Sequence, residues 1–326
     1  MNFRLSFISI CTLFMAVSSP AVFAGDYPEK DIKHIMPWGA GGGTDTVMRS
    51  FMKNMEKELG RKIYTVNIDG AKSGLGVNEL MSSPADGYTI GSLTYDSIVT
   101  VPYFGLLENY SLDKLEFIAT VTIHPTVIAA HVDSKYKTVE DLINEAKKAP
   151  GQVKVSNVGF GGVWHLPMVD LEQQAGVKFD HIAFAGGSGE QREALLKRET
   201  DLACMSLGGI FPLIKADKAR IIAVMSDDRL AEYPDTPTLK EKGYDAVWGS
   251  LRSIAVPRGV DPQITAKLTE AAEKTANSTE WKKWLEKNGG GWSFVDGEGT
   301  RNYVESLQKK VFTQLDQLVA DGVITK

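Results

Sequence analysis

Pro37 to Asp45 reads PWGAGGGTD, and its residue types suit the capture of an anion. Apolar Ile32 to Met36 precedes it and a helical pattern, Thr46 to Leu59, follows. A strand, a glycine turn and a helix together aim free main-chain N–H groups and a positive dipole end at a negative group. Glycines let the backbone approach such a group without interference from Cβ. The loop has no lysine, so the phosphate-loop pattern G-x-x-x-x-G-K-[ST] fails. G-x-G-x-x-G fails too, because counting from Gly39 or Gly41 ends on Thr44 or Thr46. What remains is a main-chain cradle suited to a carboxylate. A glycine turn that merely packs helix to strand is the plainer alternative.

Three later segments share this logic. Gly159-Phe160-Gly161-Gly162-Val163-Trp164-His165 follows the strand pattern Val153–Val158, and Phe184-Ala185-Gly186-Gly187-Ser188-Gly189 follows His181–Phe184. Ser206-Leu207-Gly208-Gly209 follows Asp201–Met205. In open parallel sheets ligands sit outside the carboxyl ends of strands, and two of these turns could face each other across a cleft. A charge-assisted hydrogen bond contributes roughly 1.5–3 kcal/mol and a helix N-terminus about 0.3–2 kcal/mol. Micromolar affinity needs about 8 kcal/mol, so two helix ends and four or five such bonds suffice with no buried lysine or arginine.

Other chemistry is poorly supported. His165 has no HExxH, no i,i+4 histidine and no neighbouring cysteine, so no metal site is expected and a loop-orienting hydrogen bond suits it better. Thr44 and Asp45 are expected to cap the first helix. Arg192, in the first turn of a later helix, could counter a distal carboxylate. Trp38 and Trp164 stand out among the aromatics because they lie inside glycine loops. G-x-S-x-G is absent, which leaves a hydrolase built on Ser188 as a distant alternative. No cofactor is expected.

Strands and helices alternate along the chain, the pattern of parallel sheets covered by helices on both faces. Early strands are expected at Lys33–Met36, Ile63–Asn67 and Thr89–Leu93, and a second set begins near Val127. A late strand, Leu251–Val256, precedes helices at Ile264–Asn277, Glu280–Asn288 and Thr300–Asp321. Thr138 to Asp141 has capping-box spacing, and Asp261-Pro262 is a helix-start signal.

Met1 to Ala24 reads as a secretory signal, with Arg4, an apolar run Leu5 to Val17 and a cleavage site at Val22-Phe23-Ala24. Its removal leaves about 302 residues, enough for two α/β domains. The net charge of −5 becomes −6 with the loss of Arg4, which speaks against nucleic acid and anionic membrane surfaces. Cys204 alone remains after cleavage, so no intrachain disulfide can form.

The ordered set of motifs resembles the extracytoplasmic solute receptors of tripartite tricarboxylate transporters, often called the Bug family. It comprises Tyr27-Pro28, Pro37 to Asp45, Asn67, Gly70-Ala71, Pro84 to Thr89, Pro150-Gly151 and Gly159 to Leu166, then Arg229, Pro237-Thr238, Glu241 and Ala255 to Pro257. The resemblance implies an α/β, two-domain type II periplasmic-binding-protein-like fold, with doubly wound sheets and an interdomain ligand cleft. Residues 25–124 plus 248–326 would form domain 1 and residues 125–247 domain 2. It implies a periplasmic receptor for carboxylate ligands that hands them to large and small membrane subunits and works as a monomer. The site carried over is Trp38, Gly39, Ala40, Gly41, Gly42 and Thr44, with Gly161, Gly162, Val163, Trp164 and His165. Ala185, Gly186 and Gly187 would add a wall from domain 2, and Tyr95 and Ser206 complete the set. Presentation of the ligand to a sensor kinase is an alternative use of the same receptor.

This chain also departs from the family pattern. Gly162 stands where a hydroxyl residue is common, Val163-Trp164 where small residues are, and Gly70 to Gly74 is longer than the usual glycine run. Phe184 to Gly187 is closer to the wording of tricarboxylate receptors. A larger or partly apolar carboxylate, such as an aromatic one, is the expected ligand.

Overall fold

The computed structural model describes residues 27–184, 188–288 and 294–326. The expected signal, residues 1–24, and Ala185 to Gly187 lie outside the described residues.

Strand β1 (Ile32–Met36) buries four of its five residues, as a strand covered on both faces must. It continues through the first glycine loop into α1 (Gly43–Leu59), β2 (Ile63–Asn67), α2 (Gly74–Met81) and β3 (Thr89–Thr94). A π-helical turn, Asp96–Thr100, and the short α3 (Val101–Tyr103) follow. Next comes β4 (Leu115–His131), which spans roughly 55 Å at the usual rise per residue. After it run α4 (Val139–Lys148), β5 (Lys154–Asn157), α5 (Leu166–Ala175), β6 (Asp180–Ala183), α6 (Ser188–Lys197), β7 (Leu202–Ser206), α7 (Leu207–Lys215) and β8 (Ala219–Met225). The chain closes with β9 (Gly249–Pro257), α8 (Pro262–Asn277), α9 (Thr279–Asn288), β10 (Val295–Asp296) and α10 (Gly297–Ala320).

Two parallel trios, β2-β1-β3 and β7-β5-β6, match the alternating pattern. The strands between them do not. β9 pairs antiparallel with β3 and β4, and β4 pairs antiparallel with β7 and β8. The sheets are therefore mixed, not purely parallel. Apolar strands read the same in either direction, so hydropathy alone does not reveal orientation.

β4 also begins at Leu115, well before the expected start near Val127. Its pairing with β9 runs to Pro125, opposite Gly249, and from Thr126 onward it pairs with Ser206 of β7 and Met225 of β8. One strand thus belongs to both sheets. Gly249 suits this crossing, because a Cβ there would stand 2.9 Å from the His124 carbonyl oxygen.

One core cluster packs Met48, Phe51 and Met52 of α1 with Leu268 of α8, Trp281 of α9 and Ile254 of β9. The larger cluster runs from Leu93 and Ile98 through Val127–Ala130 to Trp164 and Met168. The Thr138–Asp141 capping box forms, and Asp261 caps α8 through the Gln263 N–H. Cys204 is buried and free, and burial pushes its thiol up. No helix among the described residues is long and apolar enough to cross a membrane.

Candidate functional site

The first glycine loop is held from below by one carboxylate. Asp45 is buried, and its Oδ2 accepts the Gly41 N–H at 3.0 Å. Oδ1 accepts Arg49 Nη2 at 2.7 Å and Asn67 Nδ2 at 2.8 Å, while Asn67 Nδ2 also donates to the Trp38 carbonyl. Burial alone would raise the Asp45 carboxyl, but bonds from Arg49, Asn67 and Gly41 outweigh it and hold the group below its usual range. Asp45 therefore pins the turn instead of capping the helix as expected. The N-cap is Gly42, with no side-chain bond. Gly43, Thr44 and Asp45 head α1, where helix geometry leaves N–H groups without main-chain acceptors. Gly39 to Gly43 are exposed, and Gly41 holds φ +77°. Trp38 is half-buried, its Nε1–H donating to Thr94 Oγ1 at 3.1 Å.

The second loop is built differently. Gly159 N–H donates to Asn157 Oδ1, Gly161 N–H to His165 Nδ1, and Gly162 N–H to the Gly159 carbonyl. His165 and Leu166 N–H groups both turn back to the Gly162 carbonyl. These donors are spent inside the loop, whereas the Val163 and Trp164 N–H groups find no acceptor among the described residues. His165 orients it, accepting the Gly161 proton at 3.1 Å. Burial, then His181 and Lys72, lower the His165 imidazole to about 3, so it is neutral at physiological pH. Val163 and Trp164 are packed in the larger core, and the exposed aromatic of this loop is Phe160.

Residues from the first part of the chain approach this loop closely. A Cβ added to Gly161 would stand 2.9 Å from the Phe104 ring, and one on Gly159 would stand 3.0 Å from Lys72 Nζ. One on Gly162 would meet Asp96 Oδ1 at 3.5 Å. Asp96 is buried and accepts Thr100 Oγ1–H at 2.7 Å. Burial pushes its carboxyl up, against the pull of Thr100 and Lys72. Lys72 sits in a left-handed run, Ala71, Lys72 and Ser73, with φ of 45°, 51° and 75°. The sequence marks this segment by its Gly70-Ala71 motif and its length, whereas the reach of Lys72 to the second loop depends on the fold.

Ser206 is buried and caps α7, its Oγ accepting the Gly209 N–H at 3.2 Å. Arg192 donates to the Gly209 carbonyl at 2.7 Å, so it ties α6 to α7. Tyr95 is buried, with its hydroxyl unpartnered. Among the described residues no group of three His, Cys, Asp or Glu is placed to hold a metal ion.

The model of the tripartite tricarboxylate transporter family receptor matches residues 47–312. The chain belongs to that family. The receptor resembles a UPF0065 protein in the gbd 5′ region of Cupriavidus necator, 29% identical over 264 residues, 81% of this chain and 80% of the relative. It superposes on a TctC solute-binding protein from Polaromonas with a TM-score of 0.74 at 29% identity, covering 90% of this chain and 100% of that one. An R. palustris protein solved with adipate superposes with a TM-score of 0.80 at 21% identity, covering 87% and 96%, and supports the fold alone. The receptor is a substrate-binding protein, not an enzyme.

Proposed function

We propose that this receptor captures an organic di- or tricarboxylate in the periplasm and delivers it to the large and small membrane subunits of a tripartite transporter. The observation that carries this reading is the head of α1, exposed, uncapped and held rigid by Asp45. Main-chain donors that need no rearrangement favour an anion at little ordering cost. The adipate in the R. palustris protein agrees with a carboxylate ligand. Residues 1–24 serve as the export signal. Residues 25–124 plus 248–326 and residues 125–247 form two domains that hinge where β4 and β9 cross, and the receptor acts as a monomer. The ligand meets Trp38 to Thr44 on one side and the Gly161 to His165 loop, Ala185 to Gly187 and Ser206 on the other.

Thermal unfolding of residues 25–326 tests this with mono-, di- and tricarboxylates and their amides. At about 100 times Kd a ligand stabilises by roughly 2.7 kcal/mol, a shift of several degrees. A shift for one acid and none for its amide is expected. A flat panel after unfolding and refolding to strip bound ligand overturns the reading.

A further inference from the structure

The crossing strands carry buried polar groups that find no partner in the protein. Thr122, His124 and Thr126 occupy alternate positions of β4 and so share one face. Thr122 lies opposite Arg252 and His124 opposite Ser250, which puts all five residues on that face. Thr94, opposite Arg252 on β3, carries the row to Trp38 of the first loop. Ser206, opposite Thr126, carries it to the head of α7. On the other face Ile123 and Pro125 line a separate cavity of about 480 Å³ with Tyr303 and Leu307 of α10.

All five residues are buried, Arg252 and His124 to 6% and 2% exposure. Both ring nitrogens of His124, Thr126 Oγ1, Ser250 Oγ and Arg252 Nε lack a hydrogen-bond partner. Arg252 Nη1 donates to Thr122 Oγ1 at a long 3.4 Å. Among the described residues no carboxylate stands within 4.0 Å of the guanidinium. A buried cation with no counter-charge is strongly unfavourable, and its planar fork of donors matches a carboxylate. Burial, then Arg252, pushes the His124 imidazole well below its usual range, so it offers one neutral donor and no competing charge. Ser250 and Thr126 add two hydroxyl donors.

We propose that Arg252, His124, Thr126 and Ser250 form a second anion subsite in the floor of the cleft. Resting on the function proposed above, it takes the far carboxylate of a ligand whose near carboxylate sits at the head of α1. Because Thr126 pairs into the second sheet and Arg252 into the first, an anion there touches both. It is therefore where recognition and domain closure meet.

Calorimetric titration of residues 25–326 and of Arg252→Gln tests it, using succinate through pimelate, each against the monocarboxylate of equal length. The wild type is expected to bind one dicarboxylate at least about 30-fold more tightly than its monocarboxylate partner, and Arg252→Gln to lose that ratio while keeping monocarboxylate affinity. Equal affinity for both acids in the wild type, or a ratio that survives in Arg252→Gln, keeps the receptor and overturns the subsite. No binding across the series overturns both. Should Arg252→Gln not fold, the Arg252 Nε–H resonance of the ¹⁵N-labelled wild type, assigned from Arg252→Lys, is the second readout. It must move with the dicarboxylate and stay fixed with the monocarboxylate, and a fixed resonance in both overturns the subsite.

Discussion

The two glycine loops that follow β1 and β5 look alike in sequence and differ in what packs against them. In the first, Asp45 takes the Gly41 N–H, the Gly39 carbonyl takes the Gly42 N–H at a long 3.4 Å and the Gly42 carbonyl takes the Thr46 N–H, and the glycines face solvent. In the second, Asn157, His165 and the loop's own carbonyls take five donors, and its glycines make room for Lys72, Asp96 and Phe104. Glycine borders open space in one place and permits close approach of neighbours in the other. A strand–glycine–helix pattern is therefore not an anion site until its donors are accounted for.

Replacing the packed aromatic should show this difference most. Trp164→Ala is expected to lower the unfolding free energy by about 3–5 kcal/mol in urea denaturation. Trp38→Ala, at a half-buried position, should lose less than half as much. Equal losses would mean that the second loop is no more embedded than the first.

A matched glycine pair sharpens the contrast. Gly161→Ala forces a side chain into φ +71° and against Phe104, and should cost about 3 kcal/mol. Gly41→Ala meets only the φ +77° penalty in open space, about 1 kcal/mol. Carboxylate affinity should fall in Gly41→Ala if the first loop holds the ligand.

Asp45→Asn should remove about 2 kcal/mol at pH 7 by weakening the hydrogen bonds that pin the first loop. The Asp45 carboxyl is lowered in the fold, so its contribution is present above the unfolded carboxylate pKa and is lost as pH falls through the folded value. Denaturation curves of wild type and variant should converge in acid; a constant gap would sink the assignment.

The smallest effect is expected at His165. With its folded pKa at about 3, against 6.5 when unfolded, its ring should show no NMR titration between pH 5 and 8. Stability conferred by the neutral ring is complete above the unfolded pKa and erodes as pH falls from there toward 3. His165→Gln should flatten that slope.

Much of this was legible in the residues. The parallel trios, the helix starts at Thr138 and Asp261, and the loop-orienting part of His165 follow from patterning, capping chemistry and the lack of metal partners. The direction of β4 and β9 was not, because apolar strands carry no mark of orientation. Nor was the capping expected of Asp45, since Arg49 and Asn67 compete for its oxygens only once β2 lies beside β1. The burial of Arg252 was not legible either, because it reads as one polar residue in a late strand.

By itself the sequence determined which segments become strands and helices, where backbone can turn left-handed, and which family the chain resembles, because these depend on neighbouring residues and ordered motifs. Only the tertiary structure decided which loop is packed against its neighbours, that Lys72 reaches Gly159, and that Arg252 and His124 share one buried face. Those outcomes depend on pairings between residues as far apart as Thr122 and Arg252, where register and burial set the chemistry.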